Sequence, residues 1–408
     1  VELLKNKFNI GKNELSKPFT LLASGRFVSQ LGDKLYLLAL PWLVLDLTHS
    51  ALHSSLTLAL ETLPQIILAP FIGVIVDRKP RKRIMVNADF IRALIIGLIT
   101  LLALIDQIEM IHIYLAAFLL STFTLLFDSA SEGYLPSIVN KEHLVDANAS
   151  LTTINTLMRL IGPLLSGILI GLIGSAWTVG INALSFLLSG IILLFLPNIE
   201  LEGTKPKKLD NILFEIKEGF TYLLKHETLF PIALFSAFMN IGIFMVTSLL
   251  IFQSKEALGY TSEQTAIIFL ISGITATLAT FLVKILKKYI SKGQIIRYGS
   301  LTVFLAVLLL VFNQSLITIT ISYSLILMVG IIVNVNMMAY RQEVIPSHLF
   351  GRVMTSTKVF TNLFGPLSMV LAGYLAMKYS ARLVFELSAI IIFFNVLYAW
   401  FSKIKYIK

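Results

Sequence analysis

A few charged side chains stand inside long apolar stretches of this 408-residue chain, and they are the residues best placed to do chemistry. Asp33 falls midway along the first stretch, with Arg26 seven residues before it. Glu61 falls in the second, three residues before Pro64. A charge in lipid is costly, so one that persists usually faces a cavity, where a carboxylate can take up and release a proton. The first stretch would run outward and the second back, which brings Asp33 and Glu61 to similar depth. They are the candidate proton-coupling residues. The alternative is a structural ion pair of Asp33 with Lys34 or Arg26. Asp89 and Arg92, at i, i+3 spacing, read as a self-neutralising pair. Arg26 and Arg159 are candidate cavity residues, and Arg159 could hold a substrate carboxylate, compensate Asp33 or pair structurally. Phe238 and Met239, in a run with Phe235, Phe244 and Met245, could line an adaptable apolar pocket or simply pack. Lys358 and Glu386 fall near expected helix ends, where snorkelling accounts for them.

Other chemistries lack their residues. No Gly-x-x-x-x-Gly-Lys-Ser/Thr loop is present, so ATP is not the expected energy source. An ion gradient remains, with protons favoured by the intramembrane carboxylates and sodium left open. The chain has no cysteine, and His49 with His53 at i, i+4 spacing lack acidic support, so neither a metal nor a cofactor is expected. No concentrated His/Asp/Glu constellation suggests an enzyme. A sensor would carry a soluble output domain, for which the short tails leave no room.

Two motifs go beyond isolated charges. The first is Gly73-Val-Ile-Val-Asp77-Arg78-Lys-Pro80-Arg81-Lys82-Arg83. Gly73 permits close helix approach, Asp77 can accept from a neighbouring helix N-terminus, and Arg81 can reach an acid on a facing helix. Loop charge alone is the simpler explanation, but it does not require the Gly-to-Asp spacing. The second motif is Arg159-Leu-Ile-Gly162-Pro163-Leu-Leu-Ser-Gly167-Ile-Leu-Ile-Gly171. Its glycines smooth one helix face and its proline frees a carbonyl, although ordinary small-residue packing looks similar.

The elements that must position these residues are membrane helices. Hydrophobic residues make up 56% of the chain and charged ones 14%, too few for a wet surface. The apolar residues run in blocks of about twenty, the length that crosses a bilayer. The first block follows a polar, lysine-bearing stretch without a small-residue cleavage site and reads as a retained helix. Twelve spans can be drawn, near 18–45, 54–76, 84–105, 111–131, 149–173, 177–196, 230–252, 265–285, 295–312, 316–339, 356–377 and 383–401. The expected fold is an all-α integral membrane protein with two pseudo-symmetric six-helix bundles, residues 1–197 and 230–408, joined by a cytoplasmic linker at 198–229. In the linker Ile212, Ile216, Phe220 and Leu223 recur at helical spacing, which fits a helix on the membrane surface or on the inner face of the bundle.

Lysine and arginine set the orientation. Lys5, Lys7, Lys12 and Lys17, the 78–83 cluster, Lys284, Lys287, Lys288, Lys292, Arg297, Lys403, Lys405 and Lys408 all share one side if the termini are cytoplasmic. The other side receives Lys255, Lys378 and Arg382. This explains the net charge of +10 without nucleic acid. Trp42, Trp177 and Trp400 fall near expected membrane edges. The halves also echo each other. Pro136 precedes a helix containing Gly162-Pro163, and Pro346 precedes one containing Gly365-Pro366.

The chain resembles the major facilitator superfamily. The likeness rests on Gly73, Asp77, Arg78, Arg81 and Lys82, with Pro80 where the family usually has glycine. In that family Asp77 and Arg81 would belong to an inner gate, and Asp128, at the cytoplasmic end of helix four, would be Arg81's partner. Gly162, Pro163 and Gly167 resemble the antiporter motif of helix five, with Ser166 in place of one glycine, which implies export. The stretches GRFVSQLGDKLYLLALPWLVLDLTHS, INALSFLLSG and EIKEGFTYLLKHETL resemble the macrolide-efflux and siderophore-exporter branch. The resemblance implies a proton-coupled exporter of a drug-like or siderophore-like molecule, monomeric and lipid-embedded in a bacterial plasma membrane. A lipid flippase of the same superfamily is the alternative.

Overall fold

The computed structural model describes residues 16–199 and 209–407. Lys5, Lys7, Lys12, Lys408 and the side chain of Ile212 lie outside the described residues. Those described form helices and turns, with no strand among them. The first half comprises α1 (Lys17–Thr48), α2 (Ala51–Ile67), α3 (Ala69–Arg78), α4 (Arg81–Leu104), α5 (Met110–Ile138), α6 (Leu144–Ile173) and α7 (Ser175–Leu194). After α8 (Leu209–Lys225) come α9 (Leu229–Ser248), α10 (Ser262–Leu286), α11 (Lys292–Phe312), α12 (Leu316–Val344), α13 (Phe350–Asn362), α14 (Gly365–Lys378) and α15 (Ala381–Phe401). Capping boxes begin three helices of the second half at Thr261/Gln264, Ser291/Gln294 and Ser315/Thr318, satisfying backbone N–H groups that would otherwise be left unpaired.

Among the described residues, ten helical runs are long and apolar enough to cross a membrane, and eleven if α2 and α3 form one bent span. The remaining segment of the expected twelve, α1, is 32 residues long and carries Arg26, Asp33 and Lys34 along it. Two spans expected to be continuous are broken. α2 and α3 meet at Leu68 with a bend of 51°. Pro70, in the first turn of α3, cannot donate to the preceding turn, so the helix stops short of it. Pro366 parts α13 from α14 by a short turn at 363–364 without a comparable bend, so the two together still form one run long enough to cross. Its counterpart in the repeat, Pro163, lies inside the continuous α6.

Successive spans alternate in direction, so Lys17 and Tyr406 lie at one end of the bundle, the basic end. The two halves are sewn together at the other end. There α2 runs against α14 and α6 against α10, through glycine. A Cβ on Gly373 would stand 2.8 Å from the Ala51 carbonyl oxygen. One on Gly167 would stand 2.5 Å from the Ala266 Cβ and 2.7 Å from the Ser262 carbonyl oxygen. The Ser262 hydroxyl donates to the Gly167 carbonyl at 2.8 Å, and the Ser55 hydroxyl to the Ser248 carbonyl at 3.4 Å. A polar latch closes the end of the seam. Lys255 binds Asp46 and donates to the Trp42 carbonyl at 3.4 Å, while His49 Nδ1 lies 3.0 Å from Glu256. Trp42 is therefore buried at this junction under the Lys255 ammonium, and not at a lipid edge as its position in the sequence suggests.

The linker helix α8 sits on the second half. Arg352 of α13 binds Glu218 and reaches Glu215 at 3.3 Å, and Leu223 is buried with Leu229, Leu349 and Val353. The apolar face expected along this helix is thus spent on protein, through Leu223 with Phe220 and Ile216 half-buried beside it.

The seam predicts the conformational balance. Gly167→Leu overpacks the α6–α10 contact, a change that costs about 1–3 kcal/mol and moves a two-state equilibrium about 5- to 150-fold. With no native cysteine, Arg159→Cys is a clean reporter of access from the basic end. Its thiol labelling should fall when Gly167→Leu is added. Unchanged labelling would show that the seam does not set the state.

Candidate functional site

Toward the basic end the halves are not joined in this way, and α6 shows what it faces. Asn148, Thr152, Asn155 and Arg159 recur every three or four residues and all are exposed. Thr152 and Asn148 satisfy part of their polarity on carbonyls one turn back, at 2.8 and 2.7 Å. A polar stripe of this kind is poorly suited to lipid and well suited to water. Arg159 stands on that stripe.

The wall of the first half carries the charge. Asp33, in the middle of α1, is within electrostatic reach of Glu61 on α2, Arg92 on α4 and Asp128 on α5. Tyr36, one turn after Asp33, stands beside the Glu61 carboxyl, so the two side chains interact directly. Asp33 and Glu61 are thus brought together, in one polar cluster with a tyrosine that the sequence reading missed.

Arg92 anchors the cluster. It is 1% exposed, binds Asp89 and lies between the rings of Phe127 and Phe186, 4.6 and 4.2 Å from their centroids. It also donates to Thr124 Oγ1 at 3.3 Å. Guanidinium faces stack on aromatic rings, which lets a cation enter an apolar wall that an ammonium would avoid.

The loop motif is wired differently from the expectation. Arg81 does not meet Asp128. It donates to the Gly133 carbonyl at 2.7 Å and faces Asp77 at 3.9 Å. Asp128 instead faces Arg26 at 3.7 Å, and Arg26 donates to Ser131 at 3.1 Å. The cause is depth. α5 extends to Ile138, so Asp128 lies well inside the span, and Arg81 at the start of α4 meets the last turns of α5. A Cβ on Gly133 would come within 2.7 Å of Arg81 Nε, so glycine there admits the guanidinium. Arg26 is also drawn away from Asp33, its expected neighbour. Gly73 has nothing within 4 Å of a Cβ and makes no close helix approach here. Arg78 is exposed at the end of α3.

The helix-five motif lies between α1 and the second half. A Cβ on Gly162 would strike Lys34 Cβ at 2.2 Å, and Pro163 beside it is buried. Ser166, the departure from the glycine pattern, donates to the Leu35 carbonyl at 2.6 Å. Gly167 faces the other way, onto α10.

A second cavity of about 750 Å³ opens inside the second half. Met239 lines it, whereas Phe238 does not and is 46% exposed. Arg341 and Lys358 also line it. Lys358 was expected near a helix end, but α13 begins at Phe350 and carries it inward. His49 faces Glu256 and His53 faces Tyr114, and no group of three metal-ligating side chains occurs among the described residues.

Two helical halves meet through close-packed glycines at one end, and an exposed polar stripe lies on α6 toward the other, the architecture of a multi-pass helical membrane protein. A family model described as Major Facilitator Superfamily matches residues 22–368, and the chain belongs to that family.

An uncharacterized MFS-type transporter of Bacillus subtilis, YfiS, is 34% identical over 207 residues, covering 50% of this chain and 48% of that protein. The multidrug efflux pump Tap of Mycolicibacterium fortuitum is 24% identical over 370 residues, covering 88% and 89%. Macrolide efflux protein A of Streptococcus pyogenes is 25% identical over 223 residues, covering 54% and 55%. The alignment to YfiS and to macrolide efflux protein A thus spans about half the length of each. Among solved structures, a mutant of the nucleoside transporter NupG superposes with a TM-score of 0.80 at 13% identity, covering 94% of this chain and 99% of that one. A bacterial homologue of the iron transporter ferroportin, in an inward-facing state, gives 0.76 at 16% identity, covering 95% and 99%. These likenesses establish the shared fold.

The Arg92 anchor makes a stability prediction. Removing one member of a buried ion pair strands the other, at about 3–5 kcal/mol. Arg92→Gln should therefore lower the Tm of the detergent-solubilised protein sharply, and adding Asp89→Asn should restore part of the loss. An Arg92→Gln protein with unchanged Tm would mean that the pair is not holding the wall.

Proposed function

We propose that the chain is a proton-coupled exporter of drug-like or siderophore-like small molecules, working by alternating access across a bacterial plasma membrane. The observation that carries this reading is the Asp33–Glu61–Tyr36 cluster, which sets two carboxyls within reach of each other in the wall of one half. Asp33, Glu61, Asp89 and Asp128 stand in this region with Arg26, Lys34 and Arg92. Four carboxylates against three cations leave a surplus that one proton neutralises. Uptake of that proton changes how strongly α1 and α2 hold to each other and to α4. Such a change, felt differently in two states, is what couples a gradient to motion.

Several further features support the reading. The seam keeps one end shut while the polar stripe of α6 faces the other, an arrangement suited to loading from the basic side. Basic loops at that end support a cytoplasmic orientation for it by the positive-inside rule. Relatives named for drug and macrolide efflux support the direction and cargo class. One chain supplies both halves, which suits a monomer, and no cofactor is required.

The test is uptake into everted membrane vesicles, with an imposed pH gradient, across a panel of macrolides, cationic dyes and anionic chelators. Wild-type vesicles should accumulate at least one class, and a protonophore should abolish the accumulation. Asp33→Asn and Glu61→Gln should each reduce it to the level of vesicles without the protein. If both variants kept gradient-driven uptake, the proton assignment would fail. Translocation of a fluorescent lysophospholipid with no uptake of the panel would replace export by lipid flipping.

A further inference from the structure

The two halves carry opposite charge in their interiors. The first holds the carboxylate cluster. In the second, from residue 230 onward, there is no aspartate and only four glutamates, Glu256, Glu263, Glu343 and Glu386. Glu256 faces His49 and Lys255, Glu343 binds Lys292 at 2.6 Å, and Glu386 binds Arg382 at 3.1 Å. Glu263 lies in the first turn of α10. None of these lines the 750 Å³ cavity of the second half, whose charged residues are Arg341 and Lys358.

Arg341 is 9% exposed, and among the described residues neither it nor Lys358 has an ion-pair or side-chain hydrogen-bond partner. A position in the last turn of α12 favours a cation through the helix dipole, but it does not supply an acceptor for a buried guanidinium. Two cations sharing a cavity without a counter-ion repel each other and forfeit hydration. The arrangement is matched when an anion enters, because Arg341 can grip a carboxylate, sulfonate or phosphate through two parallel N–H donors while Lys358 adds a point charge. Asn240 and Asn334 supply further polar groups on the wall, and Met239 and Ile243 line it with apolar surface. The volume lies within the range of small-molecule sites, about 300–1,000 Å³.

We infer that the cavity between α9, α11, α12 and α13 is a binding site for an amphiphilic organic anion, with Arg341 and Lys358 holding the charged group and the Met239–Ile243 surface holding the apolar body. The site narrows the cargo class of the transport reading and rests on it only in treating the cavity as a cargo site. It separates anionic amphiphiles from the cationic ones that a carboxylate-lined pocket would favour.

The experiment is isothermal titration calorimetry on the full chain in nanodiscs of zwitterionic lipid, with no ion gradient. The probes are 1-naphthaleneacetate, its uncharged methyl ester and the matching 1-naphthylethylammonium cation. The anion should bind about tenfold or more tightly than the ester or the cation, as expected for a charge-assisted contact. Arg341→Gln and Lys358→Gln should each weaken anion binding about tenfold and leave ester binding unchanged. Arg341→Lys, with Tm as a folding check, should bind the anion more tightly than Arg341→Gln but more weakly than the wild type, keeping the charge and losing the paired N–H contact. Weaker anion binding by the wild type in nanodiscs containing phosphatidylglycerol, with ester binding unchanged, would identify the anion source as a lipid headgroup. Unchanged anion binding there would identify a soluble anion.

Equal binding of ester and anion, no binding of the anion, or full anion binding by the folded double glutamine variant would each overturn the inference. Because the measurement needs no gradient, anion binding with failed vesicle uptake would refute export while leaving the site. Uptake of cations alone by vesicles, with no anion binding, would do the reverse.

Discussion

Backbone contact across the far end of the bundle is the constraint on which the rest of this structure depends. Two helical halves meet there through glycine, serine and alanine, because lipid tails give no hydrophobic reason for helices to associate and close approach must supply the attraction. At Gly167 and Gly373 even a methyl group would overlap the opposite helix. The Lys255–Asp46 and His49–Glu256 contacts add charge at the rim, where water moderates its energy. With the halves held at one end, the polar stripe of α6 can remain wet at the other.

The second organising feature is the unequal charge of the two halves. In the first, carboxylates outnumber cations around Asp33, and the cluster is held in place by Arg92 between two phenylalanine rings. In the second, Arg341 and Lys358 share a cavity that no carboxylate lines. Pseudo-symmetric scaffolds thus carry unlike interiors.

Much of the scaffold could be read from the chain, since bilayer thickness dictates apolar runs of about twenty residues whatever their neighbours. The breaks at Leu68 and Leu363 were less legible, although Pro70 and Pro366 marked them locally. Proline inside Gly-Pro does not break every helix, as Pro163 within α6 shows, so the outcome depends on whether packing can absorb the lost hydrogen bond. The candidate site was legible in part. Asp33 and Glu61 stood out as charges in apolar sequence, and the fold brings them into one cluster. Tyr36, Gly133 and Arg341 carried no such signal, because tyrosine, glycine and a helix-terminal arginine are ordinary in those positions.

By itself, the sequence determined the class of molecule, the approximate spans and the family, all of which follow from composition, run length and local motif. Partner choice was decided only in three dimensions. Arg26 takes Asp128, Arg81 takes the Gly133 carbonyl, and Lys255 crosses to Asp46, more than two hundred residues away. Trp42 leaves the membrane edge for the junction beneath that lysine. A charge in a membrane must find a partner or water, but which one it finds depends on helix depth and rotation. Those are set by packing against distant helices, and no local stretch of sequence encodes them.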